Sequence, residues 1–193
     1  MVLAQNMKMK RLTVSLIFFG LVLTVAFIGF SQDNRALPPM KKPSLVVVKE
    51  KRELKFYDDG KLIKTYKIAL GFAPEGDKAT EGDGKTPEGV FYVFTKNPKS
   101  RFHLSLGLSY PNIEDARRGL REKIITQKQH DEIVAAVNAK LMPPQNTALG
   151  GEIYIHGGGK AEDWTWGCIA LEDEEIRELF ETIPVGTEVE ILP

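Results

Sequence analysis

One cysteine and three histidines limit the covalent chemistry open to this 193-residue chain. Cys168 follows Gly167, and His156 stands before three glycines, with eleven residues between the two inside IYIHGGGKAEDWTWGCIAL (153–171). A strand ending at His156 sets its imidazole at the mouth of a sheet, beside backbone that a ligand can approach closely. If the loop folds back, thiol and imidazole come within hydrogen-bond reach, the arrangement that makes a nucleophilic thiolate near neutral pH. The amides of Gly167 and Cys168 then point at the oxygen of a carbonyl under attack; one such donor is worth roughly 2.7–4 kcal/mol of transition-state stabilisation. Glycine before the nucleophile keeps a side chain from crowding the substrate.

Blander roles compete with these. A lone cysteine is often a buried, inert thiol, and a strand-end histidine is often structural. His103 reads as a strand residue and His130 as part of a charged, solvated helix. His103, His156, Asp163 and Cys168 could be imagined around a metal, but the chain has neither an i, i+4 histidine pair nor a CxxC, so the spacing argues against one. Trp164 and Trp166 are either a platform for a sugar or peptide stem or buried anchors. The acids Glu172 to Glu175 read as favourable charge at a helix start.

The elements that must hold these residues are mostly strands. LVVVKE (45–50), LKFYDD (54–59) and KLIKTYKIAL (61–70) are short and rich in β-branched and aromatic residues, the last two joined by an Asp58-Asp59-Gly60 turn. GVFYVFT (89–95) and FHLSLGLSY (102–110) alternate likewise, EIYIH (152–156) is a strand, and TEVEIL (187–192) closes the domain. APEGDKATEGDGKTPEG (73–89) is too glycine-rich and charged to be regular, and long loops in compact domains tend to be functional. Residues 112–141 read as a helical insertion with a stripe of Ile125, Ile133, Val137 and Leu141, ended by Pro143-Pro144. Its place before the catalytic strand suggests a lid. EDEEIRELFETI (172–183) is a short amphipathic helix. The sum is a mainly β domain, a sandwich or barrel, with a helical insertion and a short helix after Cys168.

Upstream, residues 12–30 carry no charge and follow Lys8, Lys10 and Arg11, the pattern of an export signal or membrane anchor with its basic end inside. The organisation expected is an anchor or signal segment (1–31), a polar proline-bearing linker (32–43) and a catalytic domain (44–193) on the extracytoplasmic side of the membrane. There a thiol left unpaired needs a reason. Beyond that segment 23 of the 26 basic residues face all 26 acidic ones, a balance that argues against nucleic acid as a partner.

The His-Gly start, the loop and the Gly-Cys-Ile close resemble the signature of L,D-transpeptidases of the YkuD type. KTPEG (85–89) is similar to that family's Thr-Pro-x-Gly segment, and GTEVEIL to its closing strand. The resemblance covers roughly residues 44–193. It implies a β-sandwich-like domain and a cysteine acyl-enzyme acting on peptidoglycan stem peptides. Cys168 would attack the carbonyl between a diaminopimelate centre and the following D-amino acid, His156 would take the thiol proton, and the Gly157 carbonyl would orient the imidazole. Gly158, Thr165, Trp166 and Gly167 would form the oxyanion and substrate-binding surroundings. The acyl group would pass to an amine, making a crosslink or attaching a wall protein, or to water. No cofactor is implied, since acyl transfer between amides conserves bond energy. The chain departs from the family at Thr165, where serine is common, and at Ala170, where arginine is common. The lost guanidinium opens a hydrolase of the same fold, cutting crosslinks or releasing peptidoglycan-linked protein, as the alternative.

Overall fold

The computed structural model describes residues 40–193; the apolar segment and most of the linker lie outside them. Alternation of apolar residues builds the sheet. In β1 (Pro43–Val48), Leu45 and Val47 turn inward; in β2 (Glu53–Asp58), Leu54 and Phe56 do. The antiparallel hairpin from β2 to β3 (Lys61–Lys67) turns through Asp59 and Gly60, both at positive φ, as a tight hairpin matched to strand twist requires. β4 (Gly89–Ser100) and β5 (His103–Leu108) form a second antiparallel pair, bulged twice. The C-terminal strand, β8 (Glu188–Leu192), runs parallel to β1 and antiparallel to β4, so the last residues join the two halves.

With β6 (Tyr154–His156) and β7 (Ile169–Ala170), the strand order is β3-β2-β1-β8-β4-β5-β6-β7. The sheet curls into a half-barrel. It curls so far that the chain leaving β3 bonds to the opposite edge, with Ala69 and Ala170 exchanging hydrogen bonds at 2.9 and 3.0 Å. Inside lies one core to which all eight strands contribute, closed by Ile176, Leu179 and Ile183 of and after α3 (Asp173–Thr182).

The mainly β architecture agrees with the sequence; several local expectations do not. The third strand stops at Lys67, leaving Ala69 and Gly71 as isolated bridges. The two-residue β7 carries no pattern of its own. The strand expected from Glu152 begins at Tyr154, because Glu152 sits at φ +56. The insertion is two helices, α1 (Ile113–Arg121) and α2 (Gln127–Asn138), each begun by a capping box, on Asn112 and Thr126. Ile125 and Ile133 are buried in a small core with Ala116 and Leu149, but Leu141 lies beyond the α2 cap and is exposed. A stripe read through 125–141 assumes one unbroken helix, which Lys123 at φ +61 and the Thr126 cap interrupt.

Ile155, fully buried in β6, bears on both core and site. Ile155→Ala is expected to destabilise the domain by about 2–5 kcal/mol, read as a lower urea midpoint with unchanged slope.

Candidate active site

β6 and β7 run parallel, with Ile155 beside Ile169 and His156 beside Ala170. The two isoleucines face the core, so the opposite face of the pair carries Tyr154 and His156 on one chain and, one residue before β7, Cys168 on the other. Cys168 is thus level with Tyr154 and one step diagonally from His156. The Tyr154 amide donates to Sγ at 3.4 Å, and the thiol donates to the Glu152 carbonyl at 3.4 Å. Among the described residues no hydrogen bond joins the sulfur to the imidazole. The chain reversal expected from sequence occurs and sets the two side chains on one face, while the resting thiol is turned to the Glu152 side.

His156 is almost wholly buried. Its ring stacks on Phe102 at 4.6 Å and meets Trp164 edge-on at 5.6 Å, and Trp164 is itself tied by its indole N–H to the Gly159 carbonyl at 3.1 Å. Nδ1 lies 2.6 Å from the Gly157 carbonyl, which can only accept; Nδ1 therefore carries the proton and Nε2 is left as the basic nitrogen. Burial holds the imidazole below its ordinary 6.5, with the Gly157 carbonyl opposing that shift and the Arg101 guanidinium adding to it. Cys168 is half-buried, and desolvation pushes its thiol from 9.0 up to about 11; the Tyr154 amide, Lys78 and Arg101 pull it down, and Glu152 pushes it up. At neutral pH the resting pair is therefore a thiol and an uncharged imidazole.

Several residues expected around the substrate also make hydrogen bonds within the loop itself or to α3. Thr165 is buried, its hydroxyl donating to the Cys168 carbonyl at 2.7 Å and accepting from the Gly167 amide at 3.1 Å. That amide is spent and is not free for an oxyanion. Gly158 gives its amide to Asp173 Oδ1 at 2.9 Å. The Cys168 amide has no acceptor among the described residues. Gly167 has a different reason to be glycine: at φ +122 it favours no side chain, and a Cβ would come within 2.6 Å of the Lys85 carbonyl rather than into substrate space. Trp166 is 71% exposed, edge-on to the half-exposed Phe72 at 5.0 Å. Asp163 is committed to Arg52 at 2.8 Å and the Leu70 amide at 2.8 Å. His103 contacts Arg177 at 3.1 Å, and His130 contacts Asp131.

The long loop before β4 is irregular but internally organised. One carboxylate, Asp83, accepts from the amides of Ala79, Thr80 and Lys85 and from Lys78 Nζ. Thr86 is buried, with its hydroxyl taking the Gly71 amide at 3.0 Å and its carbonyl taking Lys49 Nζ at 2.9 Å. This anchors the KTPEG segment so that Lys85 lies over Gly167. Arg118 of α1 bonds Asp77, the Lys78 carbonyl and Asp115, tying the insertion to the same loop. A cavity of about 620 Å³ opens beyond His156, lined by Gly158, Gly159, Lys160, Glu162, Trp164 and Glu172. Sequence reasoning missed Phe102, Glu152 and Tyr154. Tyr154 was findable, since it precedes His156 by one strand period; Phe102 and Glu152 carry no such mark.

The model of the YkuD family, the L,D-transpeptidase catalytic domain, matches residues 42–191. The chain is 28% identical over 122 residues to a candidate L,D-transpeptidase of Escherichia coli, YafK, covering 54% of this chain and 49% of that one. It is 29% identical over 152 residues to YqjB of Bacillus subtilis, described in the same terms, covering 76% and 69%. The chain thus spans about half the length of the first relative. Among solved structures it resembles the helical cell shape determining protein Pgp2 of Campylobacter jejuni, in its K307A form, with TM-score 0.50, 25% identity and coverage of 82% of this chain and 50% of that one. It shares the fold of Bd1075 of Bdellovibrio bacteriovorus, with TM-score 0.52, 21% identity and coverage of 79% and 48%.

With its thiol at about 11, Cys168 should react slowly with iodoacetamide at pH 7 and keep accelerating through pH 9 and 10; a rate that levels off near neutrality would mean a thiolate already formed. Stability should follow the same shifts. The His156 contribution is present above pH 6.5 and lost as pH falls, since the unfolded ring binds the proton first. The Cys168 contribution is present below pH 9 and lost as pH rises toward 11, so the unfolding free energy of wild type relative to Cys168→Ala should decline over that alkaline window.

Proposed function

Since the chain belongs to the YkuD family of L,D-transpeptidase catalytic domains, we propose that it is an enzyme that transfers acyl groups between peptidoglycan stem peptides through a Cys168 thioester. The observation that carries this reading is the arrangement on the β6–β7 face. An unpaired, half-exposed thiol stands one diagonal step from an imidazole whose Nδ1–H is fixed by the Gly157 carbonyl, leaving Nε2 as the base.

In the proposed reaction the thiol rotates from the Glu152 carbonyl toward His156, Nε2 takes its proton, and sulfur attacks the carbonyl carbon of the stem amide. Low imidazole basicity is useful here, because the ring must enter the cycle unprotonated. In this reading the Cys168 amide, which has no acceptor among the described residues, meets the developing oxyanion, and the Tyr154 amide stabilises the thiolate before attack. The imidazolium then returns its proton to the leaving amine, and the D-amino acid departs. The thioester is next attacked by an acceptor amine, whose proton His156 removes before the thiol is released. No metal or cofactor enters this sequence.

Hydrolysis by the same residues is the second reading, with water as acceptor and crosslinks or wall-attached protein as targets. Ala170 favours it. It is fully buried, its backbone paired with His156 and Ala69, and it carries no cation at the position where the family commonly has arginine. For either reading we place the domain outside the cytoplasmic membrane, on the strength of the uncharged run at 12–30 behind its basic cluster.

A carbapenem should add its mass to the wild-type protein and not to Cys168→Ala, and His156→Asn should slow that acylation by about 10²–10⁴-fold. Wild type that stays unmodified under conditions where a known L,D-transpeptidase reacts would refute the acyl-enzyme. With isolated sacculi, new crosslinks in the muropeptides mark transfer, whereas free stems or liberated protein mark hydrolysis.

A further inference from the structure

Glu152 is a non-glycine residue held at φ +56, in the left-handed region that such residues rarely occupy, and its side chain is exposed and does not explain the conformation. What holds it is Gln145. The Gln145 Oε1 accepts the Glu152 amide at 2.7 Å, while Nε2 donates to the Tyr110 carbonyl at 3.0 Å and the Pro143 carbonyl at 2.7 Å. Two carbonyls on one side and an amide on the other leave a single orientation for the side chain. The adjoining backbone is equally tight, since a Cβ on Gly151 would come within 2.5 Å of the Gln145 carbonyl. The conformation so enforced aims the Glu152 carbonyl at Cys168, where it takes the thiol hydrogen.

We propose that Gln145 is a positioning residue for the nucleophile: by clamping Glu152 in its left-handed conformation it keeps a carbonyl on the Cys168 thiol and parks the sulfur, protonated, away from His156 until substrate arrives. The clamp spans the insertion. Tyr110 precedes α1 and Pro143 follows α2, so both ends of the helical segment are tied through one side chain to the residue that holds the thiol. A change in how the insertion sits would therefore reach the sulfur through Gln145 and Glu152. The clamp's catalytic meaning rests on the acyl-enzyme reading above; its existence does not.

The test reads the thiol without substrate, by the pH dependence of iodoacetamide alkylation in the full chain. Glu152, Lys78 and Arg101, the charged groups acting on the sulfur, and Tyr154 and His156 on the same face are left in place in the first comparison. Gln145→Leu frees Glu152, the thiol loses the acceptor that favours its protonated form, and the alkylation midpoint should fall by about one pH unit, making reaction at pH 7.5 about tenfold faster. In a Glu152→Gly background, where left-handed backbone needs no clamp, the same substitution should change the rate by less than about twofold. Gln145→Asn, too short to span all three partners, is measured in parallel and should shift the midpoint in the same direction if the leucine variant does not fold. A folded variant at Gln145 with an unchanged profile, or equal shifts in both backgrounds, overturns the proposal. Failure of the enzymatic reading would show separately, as a missing carbapenem adduct on a thiol that still alkylates.

Discussion

The parallel pairing of β7 against β6 is the contact on which the site depends. It is only two residues long, and nothing intrinsic to Ile169-Ala170 would hold so short a strand in place. It persists because it is gripped from both sides: by β6 on one, by the Ala69 segment leaving β3 on the other, with Ile169 fully buried beneath. That grip requires the sheet to curl until its first and last edges meet. The placement of Cys168 is thus a property of the whole half-barrel, and a slip of one residue would exchange the thiol and Ile169 between the cleft and the core.

The electrostatics follow from the same burial. Burying an imidazole among Phe102, Trp164 and sheet backbone lowers its proton affinity, and desolvation of the thiol raises its own against the pull of the Tyr154 amide. Both shifts favour the uncharged forms. The resting site is consequently a neutral pair, stabilised by desolvation rather than by an ion pair, with the sulfur held between one donor, Tyr154 N–H, and one acceptor, the Glu152 carbonyl. The partial burial that keeps the thiol protonated also leaves chemistry dependent on a change at the site.

Around this pair the polar interactions do structural work. Asp83 gathers four donors, Lys49 is buried against the Gly76 and Thr86 carbonyls and Glu88, and Arg118 joins α1 to the loop. Each buried charge has partners, as a buried charge must. The result is a loop without regular secondary structure that is nonetheless fixed, carrying Lys85 over Gly167 and thereby setting the backbone that leads into Cys168. The insertion contacts this loop and the Glu152 turn rather than standing free.

The sequence by itself determined the strands that alternate, the Asp-Gly hairpin, the amphipathic helix after Cys168 with acids at its start, and the irregular loop. These are local signals, written in residue period, turn chemistry and a run of glycines. The family, too, was legible in short motifs. Tertiary structure alone decided the rest. β7 exists only because distant edges clasp it, and the Gly167 amide, read as free, is consumed by the Thr165 hydroxyl two residues away. The break between α1 and α2 rests on a left-handed Lys123 that no pattern marks, and the strained Glu152 is imposed by Gln145 from across a turn. Protonation belongs to the same class, because a pKa is set by what surrounds a group in space. Phe102, Trp164 and Glu152 become neighbours of Cys168 and His156 only when the sheet has closed.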